Sequence, residues 1–295
     1  MKITIVAGAR PNFMKIAPVV HAMQNVKRKD KRLRYRIVHT GQHFDNNMRD
    51  NFFKELNIPE PDINLNCGSG SQAEQTGAIM VSFEKELIAN PADLVIVVGD
   101  VNSTMACSIV AKKLNTKVAH IEAGIRSYDL SMPEEINRIV TDCLADFFFT
   151  TTEMANQNLH KIGIPEKRIF FVGNVMIDTL LAYRHRFIKP QIWDKLKLTK
   201  RKYLVMTLHR PGNVDEEKKL KNLLCAIING SRGIPIIFPV HPRTAKIIAS
   251  LDFNNISKSH SFALSPSRHQ CIKNLYFTEP LGYLEFIIWL KMLKQ

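Results

Sequence analysis

The sequence predicts an α/β fold built on a mostly parallel, doubly wound sheet. Apolar runs rich in Val, Ile and Phe recur at 3–7, 35–40, 94–98, 117–121, 147–151, 169–172, 203–208 and 234–240. Segments with helical spacing lie between most of them, and strands that alternate with helices assemble into parallel sheets. Length sets the domain number: 295 residues, 45% hydrophobic and 23% charged, suffice for two domains of typical size.

The elements follow in order. "VAGARPNFMKIAP" (6–18) continues the first apolar run and reads as strand, tight turn and helix. Residues 134–146 read as a helix: Ser131 and Pro133 can start it, and two Glu open it. Ile136, Ile139, Val140, Cys143 and Leu144 form its expected buried stripe. The first six runs complete a domain over 1–172. A helix over 174–186 and a polar linker, Lys189–Lys202, open the second domain, 173–295. Its α/β series starts at Tyr203 and shows two clear strands, which predicts a poor core, an open edge and an incomplete domain.

Composition narrows the function classes. No run of 18 or more apolar residues occurs, so no membrane span is expected. The chain enters a strand pattern directly, without a signal-peptide core. Five cysteines (67, 107, 143, 225 and 271) are scattered, with no CxxC or Cys/His ligand spacing. They read as reduced packing thiols of a cytoplasmic protein, with no metal site. The net charge is +14 and the pI about 9.6. Its basic clusters, Lys27–Arg36, Lys195–Lys202 and Lys218–Lys221, lack the interleaved aromatics of a nucleic-acid platform. They read as solvated faces, and nucleic acid is the weaker alternative to small anionic substrates.

Ligands of open parallel sheets sit at the carboxyl ends of the strands. The first turn offers Arg10 and Lys15. It is no P-loop, because Met14 and Ile16 replace the second Gly and the Ser/Thr, and it lacks G-x-G-x-x-G. Arg10 can fork onto a phosphate, or the two can be a surface Arg and a snorkelling Lys. "LVIVVGD" ends in Asp100, followed by Asn102, Ser103 and Thr104, and Asp100 is a helix cap or a site residue. "VAHIEAG" places Glu122 at a strand end, facing a cleft or paired with Arg126 or Arg138. "MPEEINR" puts Glu134 and Glu135 in a helix's first turn, with Glu134 in reach of Arg138 at i+4. Asp100, Glu122 and Glu134 together would make a carboxylate cluster whose pKa values split, which suits acid–base work. In the second half, two strand ends carry His209–Arg210 and His241, with Arg243 after it. Each His alone reads as structural; together they suggest a diphosphate cleft. The other eight histidines show no pattern.

Taken together, these motifs resemble the non-hydrolysing UDP-N-acetylglucosamine 2-epimerase family. The strings are "GARPNFMKIAP", "GQH" (41–43), "VVGDVNST", "AHIEAGIRS", "MPEEINR", "FVGNVMIDTL", "TLHRPGNVDE" and "FPVHPR", in family order over about residues 1–245. The resemblance implies two Rossmann-like domains in the glycosyltransferase-B arrangement, with a nucleotide-sugar between them. It implies interconversion of UDP-GlcNAc and UDP-ManNAc: the C2 proton is removed, UDP is expelled, and UDP adds back to 2-acetamidoglucal. No redox cofactor is needed. Arg10, Lys15, Arg210 and His241 would bind substrate; Asp100, Glu122 and Glu134 would be the acid–base and sugar-binding carboxylates; His209 would stabilise departing UDP. A homodimer through the first domain is implied. The family continues beyond "GYLEFIIWLK" with parts that hold ribose and diphosphate, so a C-terminally truncated member with impaired UDP binding is expected. The alternatives are a hydrolysing relative that releases ManNAc and UDP, a sugar-nucleotide-binding remnant without catalysis, and a glycosyltransferase.

Overall fold

The computed structural model describes residues 1–41, 53, 55–208, 211–240, 242–251, 271–279 and 281–291. They form two compact units, Met1–Arg184 and His185–Gln295. In chain order the first holds β1 (Lys2–Ala7), α1 (Arg10–Lys29), β2 (Arg34–His39), β3 (Ile63–Asn64), α2 (Gln72–Ala89) and β4 (Leu94–Val98). It continues with α3 (Asn102–Lys113), β5 (Lys117–Ala123), α4 (Pro133–Leu144), β6 (Phe147–Thr150), α5 (Glu153–Lys161), β7 (Ile169–Phe171) and α6 (Val175–Tyr183).

All six apolar runs before residue 172 are strands. Among the described residues they join the two-residue β3 in a seven-stranded sheet, ordered β3-β2-β1-β4-β5-β6-β7. Every pairing is parallel. A parallel sheet is covered on both faces, so its central strands are apolar throughout. Ile5, Val6, Val95, Val97, Val118 and Phe148 accordingly sit in the core with Phe83 of α2 and Val110 of α3. The strand order reverses between β1 and β4, the place where such sheets open a crevice at their carboxyl ends.

The unit boundary falls after Arg184 rather than at 172. Helix α6 is the reason, because it packs on α1. Thr179 Oγ1 donates to Met14 O at 2.6 Å, and the Tyr183 hydroxyl donates to Leu56 O.

The second unit holds α7 (Gln191–Lys195), β8 (Leu204–Val205), α8 (Pro211–Val214), α9 (Glu217–Gly230), β9 (Ile236–Pro239), α10 (Pro242–Ser250), β10 (Cys271–Ile272), β11 (Leu275–Thr278) and α11 (Tyr283–Lys291). Its sheet, β10-β11-β9-β8, has four strands among the described residues instead of the two expected. β11 pairs parallel with β9 and gains β10 as an antiparallel edge. The expected poor core is also corrected. Leu220, Leu224, Ile236, Phe238 and Leu275 are buried together on one side. Trp193, Tyr203, Ile237 and Trp289 form a second cluster. Tyr203 meets both indoles edge-on, at 5.0 and 5.2 Å, and its hydroxyl donates to Trp289 O. The stretch expected as a polar linker thus supplies Trp193 and Leu198 to this core. Among the described residues, no helix is long and apolar enough to cross a membrane.

The backbone is unusual where β4 and β5 end. Gly99, Glu122 and Gly124 all take left-handed φ, at +70°, +71° and +78°. Glu122 is the extra residue of a bulge, since Ile121 and Ala123 oppose consecutive residues of β6. A side chain on Gly124 would press into the backbone carbonyl of Ala155. Gly124→Ala should therefore cost about 3 kcal/mol of stability or prevent folding, read from urea denaturation. A loss below about 0.5 kcal/mol would contradict this close approach.

Candidate active site

The site grows from the turn after β1. Asn12, buried in the first turn of α1, accepts from Gly8 N at 3.0 Å and Ala9 N at 2.9 Å. Its Nδ2 donates to Val98 O at 3.0 Å, bridging β1 and β4 across the point where strand order reverses. One amide thus closes the turn and binds the two walls of the crevice. Arg10 stands at the start of α1, its side chain outside the described residues.

Lys15, one turn into α1, reaches the Glu122 carboxylate and forms an ion pair. The pair is largely enclosed, with side-chain exposures of 13% and 11%. Gly99 leaves room for it: a Cβ there would lie 2.9 Å from Lys15 Nζ. Glu122 therefore pairs with Lys15, not with Arg126 or Arg138. Asp100 is no helix cap, because α3 starts after Val101 without a side-chain cap. Its carboxylate accepts from Arg138 Nη1 at 2.5 Å and stays one-third exposed. Asp100 and Glu122 thus stand at the carboxyl ends of adjacent strands, each matched to a cation from a helix.

Glu134 departs from the expected pairing with Arg138. It is exposed and has no ion pair or hydrogen bond among the described residues. Arg138 binds Glu135 instead, through Nε at 2.9 Å and Nη2 at 2.7 Å. Glu135 also accepts from the backbone N–H groups of Ser127 and Tyr128, pinning the segment after β5. Burial opposes the Glu135 charge, but the Ser127 and Tyr128 donors and Arg138 outweigh it and hold its pKa below the ordinary value. The expected apolar stripe of α4 is overturned as well. Glu135, Asn137, Arg138, Thr141 and Asp142 are the buried residues, while Ile136 is 47% exposed.

A deeper layer was not legible as a site. His120 in β5 and Asp142 in α4 are fully buried and meet at 2.7 Å. His120 Nε2 lies 2.9 Å from Gly99 O. Asp142 also accepts from Gly124 N at 3.0 Å and Arg126 Nη1 at 2.6 Å. Burial pushes the Asp142 pKa up, but His120 and Arg126 together outweigh it and leave the pKa lowered. A signal was present: a His inside an apolar strand and an Asp inside an apolar-looking helix are polar groups that burial must pair. His209, Arg210 and His241 lie outside the described residues.

A strand-end carboxylate layer at a parallel-sheet crevice is shared by unrelated chemistries, and comparison with known proteins narrows it. Residues 25–294 match the family described as UDP-N-acetylglucosamine 2-epimerase. The chain belongs to this family. A UDP-N-acetylglucosamine 2-epimerase homolog from Methanococcus maripaludis is 43% identical over 289 residues, 97% of this chain and 75% of that protein. A Pseudomonas aeruginosa UDP-2,3-diacetamido-2,3-dideoxy-D-glucuronate 2-epimerase is 36% identical over 294 residues, 98% of this chain and 75% of that protein. A crystal structure of the Methanocaldococcus jannaschii UDP-GlcNAc 2-epimerase in complex with UDP-GlcNAc and UDP superposes with a TM-score of 0.83. It is 38% identical and covers 99% of this chain and 77% of that one.

Both depressed carboxylates carry a stability consequence. A folded pKa below the unfolded value adds stability above the unfolded pKa, and that stability is lost as pH falls through the folded value. Unfolding free energy should thus drop steeply below about pH 4.5. The paired substitution Glu135→Gln with Asp142→Asn should be less stable at pH 7, with a flatter pH dependence below about 4.5. Urea unfolding across a pH series checks this; an unchanged slope contradicts it.

Proposed function

We propose that this protein interconverts UDP-GlcNAc and UDP-ManNAc. The observation that carries the reading is the placement of Asp100 and Glu122 on adjacent strand ends beside Lys15 and Arg138, in a chain of this family. The C2–H bond of the sugar is not acidic by itself. Its proton can leave when the electron pair forms a C1=C2 bond and the C1–O bond to UDP breaks. The intermediate is 2-acetamidoglucal. UDP then re-adds at C1 and a proton returns to C2 on the opposite face. Inversion needs proton-transfer groups on both faces, and two carboxylates from different strands are suited to supply them.

In this proposal Asp100, Glu122 and Glu134 handle the proton and the sugar. Lys15 and Arg10 meet the diphosphate, joined by Arg210 and His241, and His209 stabilises departing UDP. Charge growing on the leaving diphosphate is where fixed cations contribute most. The second unit is the nucleotide-binding part. The same reading gives a homodimeric cytoplasmic enzyme supplying polysaccharide synthesis.

Incubation with UDP-GlcNAc in D₂O tests the reading by NMR at C2. Deuterium should enter C2 as UDP-ManNAc forms. Asp100→Asn and Glu122→Gln should each slow this by about 10²–10⁴-fold while the protein stays folded. Folded protein giving neither exchange nor product would overturn the proposal, as would free ManNAc in place of UDP-ManNAc. Turnover confined to the 2,3-diacetamido uronate would overturn the substrate but keep the C2 chemistry.

A further inference from the structure

We propose that His120 and Asp142 are a positioning pair that fixes the backbone carrying Asp100 and Glu122. The kinetic part of the inference rests on the epimerase reading; the geometric part does not. Neither side chain is exposed, so neither touches substrate. Gly99 O can only accept, so His120 Nε2 carries a proton towards it at 2.9 Å. Asp142 is an ionised acceptor already bound by Gly124 N and Arg126, so Nδ1 donates to it at 2.7 Å. Both ring nitrogens are therefore donors.

These bonds land on particular peptide planes. The Gly99 carbonyl shares its rigid plane with the nitrogen and Cα of Asp100. The Gly124 N–H shares its plane with Ala123, the residue after Glu122. Asp142 holds the second plane directly and the first through His120. Glu122 is left-handed, a conformation that a residue with a side chain keeps only when its surroundings over-determine it. The same helix, α4, carries Arg138, which grips the Asp100 carboxylate. Backbone and side chain of Asp100 are thus both tied to α4, one through Asp142 and His120, the other through Arg138. A slip of this circuit would shift both proton-transfer carboxylates, and with Glu122 its ion-pair partner Lys15.

Two substitutions divide the ring. His120→Gln keeps a donor aimed at Gly99 O; His120→Asn keeps one aimed at Asp142 only. His120→Asn should lower kcat for UDP-GlcNAc by about 100-fold, the usual cost of a misplaced reacting group, with KM within about threefold. His120→Gln should stay within about tenfold of the unsubstituted enzyme. Equal kcat in the two variants, or losses that follow Tm alone, would overturn the positioning role. A second measurement needs no substrate. In ¹⁵N-labelled protein, His120 should show two slowly exchanging ring N–H protons, and Asp142→Asn should speed exchange of the Gly124 amide. One bare ring nitrogen would refute the pair whatever the reaction is. Intact spectra in a protein that never epimerises would sink the epimerase reading and leave the backbone pinning standing.

Discussion

Charge held at the carboxyl ends of β4 and β5 is the constraint on which this first unit depends. Asp100, Glu122, Glu135 and Asp142 gather there, and each is met by a cation: Arg138, Lys15, Arg138 again, and Arg126. Removing one partner of a buried pair leaves an uncompensated charge, at about 3–5 kcal/mol. The cations come from separate elements, Lys15 from α1, Arg138 from α4 and Arg126 from the segment between β5 and α4. Those elements can then dock in only one way. The ion pairs contribute less as attraction than as a specification of which helix face meets which strand end.

Helix α4 shows what that specification overrides. Its apolar residues predict an inward stripe through Ile136, Val140 and Cys143. The structure turns the other face inward, because Glu135, Arg138 and Asp142 fall at i, i+3 and i+7 and share one side of a helix. Glu134, about 100° round from Glu135, is left outside. The usual reading of amphipathicity takes hydrophobic burial as the stronger effect. Here the polar contacts of the two buried carboxylates, five on Glu135 and three on Asp142, are the stronger constraint, since turning the helix would part Asp142 from His120 and Arg138 from Asp100.

This explains how much was legible. Strands of the first sheet announce themselves as apolar runs because both faces are covered. β3 has two residues and no periodicity, and β10 and β11 are short enough to escape the same test. The strand-end positions of Asp100 and Glu122 follow from the strand boundaries alone. Their partners do not: Lys15 and Glu122 are 107 residues apart, and no local pattern announces that pairing. Asp100 looks like a helix cap because capping is a local rule, and Arg138, 38 residues on, supersedes it. His120 and Asp142 were hidden by their neighbours, each standing in a run whose apolar character argues for ordinary core.

The pairing of Lys15 with Glu122 also bears on the proposed reaction. An ammonium has three donors, so Lys15 can keep Glu122 while binding a phosphate oxygen. In that arrangement the cation lies between the proton-transfer carboxylate and the leaving diphosphate. As UDP departs, its growing negative charge draws the ammonium, and Glu122 loses part of its counter-charge. A carboxylate with less counter-charge is a better proton acceptor. Leaving-group departure and proton removal would then reinforce each other through one side chain. The glycine at position 99 is what makes that side chain's position available, because a Cβ there would occupy the space Nζ needs.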